Sequence, residues 1–233
     1  MSCFSSVALA ATALCSPLLV HPVFGQSSVG VPASPPIISP CDVATDREIR
    51  VTLMDPFGAI VGKPLPPTRM HLPSSDIVRL ETHCAPVHQG AIEGWVVSVK
   101  LTGPHYSGNN PAIGAKGDQF IVTLGTAPGK SGRELFFHIP RTSLGMHYGL
   151  VLFREDQFST PRALYAGETG KKHSIEISCG DLDISKIESC MANQKIAKYA
   201  VASYDIPTQN ISKWREYADA IENYVALHME NDK

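Results

Sequence analysis

Apolar residues recur at every second position over most of this chain, and that period constrains its fold more than any other feature. Ile49, Val51 and Leu53 alternate with Arg50 and Thr52. Val78 and Leu80 alternate with Ile77, Arg79 and Glu81, and Trp95, Val97, Val99 and Leu101 with Val96, Ser98 and Lys100. Phe120, Val122 and Leu124 repeat the spacing, as do Leu135, Phe137 and Ile139, then Tyr148, Leu150 and Leu152, then Ile175, Ile177 and Cys179. A strand turns successive side chains to opposite faces, so each segment offers one side to a core and one to water. Turn clusters separate the segments, among them Asp55-Pro56-Phe57-Gly58, Ser107-Gly108-Asn109-Asn110-Pro111 and Pro128-Gly129-Lys130-Ser131-Gly132. No helical pattern falls between them, which removes the crossover helices a parallel sheet needs. The expectation is a mainly β fold, an antiparallel β-sandwich (Ig-like or similar) or a barrel.

Beyond Cys179 the period changes. Trp214, Tyr217, Ala218, Ile221, Tyr224, Val225 and His228 fall at spacings of three and four. They predict an amphipathic helix over 212–229, with Ser212 or Asn210 as its N-cap. A shorter helix is expected within 184–202, carried by Ile184, Ile187 and Met191 and continuing through Ile196 and Tyr199. One or both C-terminal helices should pack on the sheet, because aromatic residues at helical spacing make a core face.

The N-terminal residues read as an export signal. Residues 1–25 contain no Asp, Glu, Lys or Arg, and an apolar run from Val7 to Cys15 leads to Val23-Phe24-Gly25. Small residues at 23 and 25 suit cleavage after Gly25. Ser16, Pro17, His21 and Pro22 interrupt the run before it reaches membrane-spanning length, so no span is expected after cleavage. Residues 26–40, with Pro32, Pro35, Pro36 and Pro40, read as a flexible or extended leader. One domain is expected over 41–233. The implied location is extracellular, or periplasmic in a Gram-negative source.

Two of the six cysteines lie in the signal, leaving Cys41, Cys84, Cys179 and Cys190. An even set in an exported chain predicts disulfides. Four cysteines allow three pairings; Cys41–Cys84 with Cys179–Cys190 joins neighbours at the lowest loop-closure cost. A second pairing has its own motif. Cys84, Trp95 and Cys179 resemble the immunoglobulin arrangement of a tryptophan packed on an inter-sheet disulfide, which would imply Cys84–Cys179 and Cys41–Cys190. Ile177 stands where that arrangement has its tyrosine.

The formal charge is −2 with no long run of like charges, which argues against a phosphate-backbone partner such as nucleic acid. Gly125-Thr126-Ala127-Pro128-Gly129-Lys130-Ser131 is one residue short of a phosphate-binding loop, and a strand pattern rather than a helix comes next. No Gly-x-Ser-x-Gly elbow and no His-Glu-x-x-His pair is present. No catalytic residue and no cofactor is assigned. Asn210-Ile211-Ser212 is a glycosylation sequon.

The expected function is that of a secreted, disulfide-stabilised, non-enzymatic binding module, such as a host-directed effector. It would act on a protein or glycan partner through surface loops at 55–75, 103–117 and 125–133. Other residues support two alternatives. Glu81, Glu93 and Asp118 are carboxylates that a fold could assemble into a hydrolase. His83 and His88 flank Cys84 and could hold a metal in an exported metal-binding protein.

Overall fold

A computed structural model describes residues 48–55, 65–81, 91–126, 141–156 and 160–230, with Glu81 and Ala91 described by backbone alone. All of them fall in the compact unit Pro36–Lys233. The expected leader (1–25 and 26–40), Cys41, His83, Cys84, His88 and the Leu135–Ile139 strand lie outside the described residues.

Twelve strands and one α-helix are described. The strands are β1 (Glu48–Leu53), β2 (Thr68–Pro73), β3 (Ile77–Glu81), β4 (Ala91–Gly94), β5 (Val96–Asn110), β6 (Ala115–Thr126), β7 (Arg141–His147), β8 (Leu150–Glu155), β9 (Arg162–Glu168), β10 (Ser174–Cys179), β11 (Ser189–Lys195) and β12 (Ala200–Pro207); the helix is α1 (Trp214–His228). Nine strands form an antiparallel sheet in the order β3-β5-β6-β12-β11-β10-β9-β8-β7. The other three form a small sheet, β2-β1-β4, in which β1 runs antiparallel to β2 and parallel to β4. The protein is mainly β with a C-terminal helix, in keeping with a sandwich-like or barrel-like fold.

Period two decides which residues enter the core. Val97, Val99 and Leu101 of β5, Phe120, Val122 and Leu124 of β6, Ile175, Ile177 and Cys179 of β10, and Ala200, Ala202, Tyr204 and Ile206 of β12 are all buried. Ile49, Val51 and Leu53 of the small sheet belong to the same core cluster. The expected alternation breaks at three places: Trp95 falls between β4 and β5, Tyr148 falls in the turn before β8, and β3 changes its facing. Register shifts between Ile77 and Arg79, so Ile77 and Leu80 pack on the core while Val78 is 40% exposed. An extra residue in one strand inverts the facing of the residues after it, which periodicity alone does not reveal.

Residues 184–202 correct the expected shorter helix. Only Ile184–Lys186 forms a 3-10 turn; Ser189–Lys195 is β11, and from Ala200 the chain is β12, which pairs with β11 as an antiparallel hairpin. Cys190, Ala192 and Gln194 are buried at period two, while Met191, taken as part of a helical stripe, is 47% exposed. Cys179 and Cys190 are directly opposed on β10 and β11, with Cα atoms 4.4 Å apart, and form a disulfide. That spacing matches the close, non-hydrogen-bonded pair of an antiparallel ladder. The bridge is one of the two expected pairs of sequence neighbours, and it excludes Cys84–Cys179.

The expected C-terminal helix is present as α1, preceded by a 3-10 segment, Thr208–Lys213. Its start departs from expectation: Lys213 is the N-cap residue and no side chain caps it. Trp214, Tyr217, Ala218, Ile221 and Val225 are buried. Tyr217 meets Phe120 edge-on at 4.9 Å and stacks beside Tyr204 at 6.3 Å. The chain beyond α1 then straps onto the small sheet. The Glu230 amide donates to the Arg69 carbonyl at 3.0 Å, and the Glu230 carboxylate lies 2.5 Å from His71 Nε2.

Gly103 sits where β5 passes the Phe120 ring; a Cβ there would lie 2.7 Å from that ring. Gly103→Ala should therefore cost about 1–3 kcal/mol by overpacking, measurable as a lowered denaturation midpoint. Replacing Cys179 and Cys190 together by alanine should cost about 2–4 kcal/mol; an unchanged midpoint under oxidising conditions would contradict the stapling role.

Candidate functional site

The nine-stranded sheet has two unlike faces. The inner one is closed by α1 and carries a buried polar cluster. Glu222 comes four residues after Ala218, so it lies in the apolar stripe of α1 and is 4% exposed. Its Oε1 accepts from the Thr169 hydroxyl, lies 3.1 Å from His173 Nδ1 and accepts from Gln194 Nε2 at 3.4 Å. Gln194 also donates to the Ala218 carbonyl at 3.3 Å and accepts from the Tyr204 hydroxyl at 3.1 Å. A second tie fixes the start of the helix. Asn210 Nδ2 donates to the His105 carbonyl and to the Tyr217 hydroxyl, both at 3.0 Å. Buried polar groups need such partners, because an unmet one keeps its full desolvation cost. Asn210 is 4% exposed, and Nδ2, the atom a glycan would occupy, is already committed.

Burial governs the phenols around this cluster. It pushes Tyr204 well above the ordinary tyrosine value, with the Glu222 carboxylate and Tyr217 adding to the shift. Tyr165, Tyr217 and Tyr224 are raised by the same cause; a hydrogen bond from Asn210 partly opposes it at Tyr217, and the Asp76 carboxylate reinforces it at Tyr224.

No described helix covers the outer face. Ser98 and Thr123 share a hydrogen bond at 3.0 Å, Thr123 stands opposite Ser203, and the Ser203 hydroxyl donates to Asn193 at 2.7 Å. Above this polar row the 3-10 turn Pro111–Ile113 forms the rim of a groove of about 390 Å³ over β6, β12 and β11. Ile113, Ile121 and Met191 line its apolar side; Thr123, Ser203 and Asp205 line its polar side. Burial raises the Asp205 carboxyl above its usual range, against a weak opposing bond from Ser189.

The sheet ends on β7, which pairs only with β8 among the described residues. Every residue of β7 after Arg141 is exposed, including Leu144 at 45% and Met146 at 64%. Tyr148 and Gly149 form the hairpin tip with φ of 54° and 77°, a pair of positive values typical of a two-residue hairpin turn. Tyr148 is 44% exposed. Its carbonyl accepts from the Trp214 indole at 2.9 Å, and Arg215 packs over Gly149 and the Trp214 ring.

The carboxylates read from the sequence fall apart in space. Glu93 is exposed on β4 of the small sheet, Glu81 ends β3, and Asp118 on β6 is exposed and 2.7 Å from His105 Nδ1. Of the expected contact loops, 56–64 and 127–133 lie outside the described residues; the rest is largely not loop, since 68–73 is strand β2, 125–126 ends β6, and 103–117 is the bulged end of the β5–β6 hairpin with its 3-10 turn. No group of three or more His, Cys, Asp or Glu residues able to hold a metal occurs among the described residues. No described helix is long and apolar enough to cross a membrane. Comparison with protein-family models, with curated proteins and with solved structures returns no match.

The buried cluster and the raised phenols each have a measurable consequence. Glu222→Ala leaves Thr169, His173 and Gln194 with unmet groups and should cost about 1–3 kcal/mol; a denaturation curve like that of the parent would show the cluster to be idle. Alkaline stability should fall from about pH 10 upward. There the unfolded chain releases phenolic protons that Tyr165, Tyr204, Tyr217 and Tyr224 retain in the fold, so unfolding is favoured as pH rises. Phenolate absorbance of the native protein should fall short of the denatured value by these four groups.

Proposed function

We propose that this chain is an exported, disulfide-stabilised binding module rather than an enzyme, and that it takes an extended segment of a partner protein along β7. The carrying observation is the exposure of Leu144 and Met146 on a sheet-end strand that pairs on one side only among the described residues. An edge strand presents unpaired amides and carbonyls, and proteins usually blunt such edges with charge or proline. From Thr142 to His147 this one carries no Asp, Glu, Lys, Arg or Pro. A polypeptide strand added there gains ladder hydrogen bonds, and its side chains meet Leu144, Met146 and Tyr148. Methionine adapts to varied partners, and tyrosine offers large contact area at low entropy cost.

The export reading draws on the leader-like residues 1–25 and on the cystine, which an oxidising compartment allows to persist. The non-enzymatic reading draws on the separation of Glu93 and Asp118 between two sheets.

A photo-crosslinking residue at position 146 tests the partner reading in the protein's native surroundings. It should capture one discrete protein, with the link mapped to a short extended segment. The Leu144→Asp/Met146→Asp variant should lose that capture at least about tenfold while keeping its fold. Equal capture by this variant would overturn the reading.

A further inference from the structure

The outer-face groove holds a carboxylate whose needs the chain leaves unmet. Asp205 stands opposite Met191 on the β12–β11 ladder and lines the groove beside Ser203 and Thr123. Among the described residues the only hydrogen bond to its carboxylate comes from the Ser189 hydroxyl, at 3.4 Å, and the carboxylate has no ion pair. A carboxylate has room for about four donors. A second carboxylate, Glu188, precedes Ser189 in the chain and accepts from the neutral amide of Asn110, the neighbour of the groove-lining Pro111. Neither carboxylate forms an ion pair among the described residues. The opposite wall is apolar, formed by Ile113, Ile121 and Met191, and Met191 is 47% exposed.

We infer that this groove binds a primary alkylammonium group, its nitrogen on Asp205 and its aliphatic stem along Ile113, Ile121 and Met191. Charge complementarity selects the head: an ammonium brings three donors and a positive charge to an under-bonded carboxylate. The Ser203 hydroxyl already donates to Asn193, so what its oxygen has left to offer is an acceptor. The wall selects the stem, since a methylene chain covers apolar surface while its charged end stays on a polar partner. Burial disfavours the charged carboxylate and raises its proton affinity, which agrees with a site completed by a cation from outside. This inference does not rest on the β7 reading, because the two sites lie on different strands and respond to different variants.

Methyl-labelled full-length protein titrated with n-pentylammonium chloride tests the site, with n-pentanol and sodium pentanoate as controls. Met191 and Ile113 methyl signals should shift saturably with the ammonium, with affinity at least about tenfold above pentanol and falling with added salt. Asp205→Asn should remove that advantage. Equal shifts from pentanol, or an Asp205→Asn protein that binds as the parent does, would overturn the inference. Should that variant fail to fold, the ammonium-against-alcohol comparison in the parent decides alone. N-acetyl-lysine methylamide forms the last arm. If it matches pentylammonium, the group arrives on a polypeptide; if it is at least about tenfold weaker, the ligand is a free amine, and either outcome supports an alkylammonium site.

Discussion

The packing of α1 on the inner face of the nine-stranded sheet is the interaction on which the rest depends. Strands of β5, β6, β12 and β11 present apolar side chains that need cover, and Trp214, Tyr217, Ile221 and Val225 supply it. Burial of this kind is strong but non-directional. Direction comes from the polar ties. Asn210 fixes the start of the helix against β5 and Tyr217, and Glu222 fixes its middle against Gln194 of β11 and Thr169 after β9. The strap at Glu230 fixes its end against β2. Sliding α1 by one turn would separate these groups from their partners at a cost of about 1–3 kcal/mol for each one left unmet. The helix therefore has one seat.

This distribution of roles explains which elements could be read from the residues alone. β1, β5, β6 and β10 are rich in Val, Ile and Leu at alternate positions, and a β-branched period of two has no competing interpretation. β11 and β12 hide because their inward residues are small or polar: Cys190, Ala192 and Gln194, then Ala200 and Ala202. Alanine and glutamine favour helices in isolation, and Ile187, Met191 and Ile196 happen to fall near helical spacing. Tertiary pairing through the Cys179–Cys190 ladder overrides that local preference. The polar cluster was hidden for a different reason. Its members are scattered from Thr169 to Glu222, and only a carboxylate four residues after Ala218 in an apolar stripe hinted at it. Asp205 and the exposed β7 gave no sequence signal, since exposure is a property of the assembled sheet.

Among the described residues, one face of the sheet is closed and the other is not, and the polar groups on the two faces are satisfied to different degrees. The inner face spends its polar groups on one another, so Glu222, Gln194 and Tyr204 have little left for a ligand. On the outer face, Ser98, Thr123, Ser203 and Asn193 satisfy each other in pairs, but Asp205 does not share in them. A partly buried carboxylate with one long bond is unfavourable for folding, because the unfolded chain hydrates it fully. Such a residue in an otherwise well-satisfied sheet is the kind of local exception that a binding role accounts for.

The hairpin tip joins the helix to the exposed edge. Tyr148 holds a left-handed backbone that costs a non-glycine residue about 1 kcal/mol or more. The Trp214 indole, itself fully buried, bonds to the Tyr148 carbonyl, and Arg215 closes over Gly149 from the next position of the helix. The strain is thus sustained by the same first turn of α1 that seals the core. This clamp ties the tip to the helix, and on the proposed reading β7, which leads into it, meets a partner strand already extended. An edge already ordered loses less conformational entropy on pairing, so more of the contact energy of Leu144, Met146 and Tyr148 remains for affinity. On the proposed reading, the helix that seals the core also orders the edge.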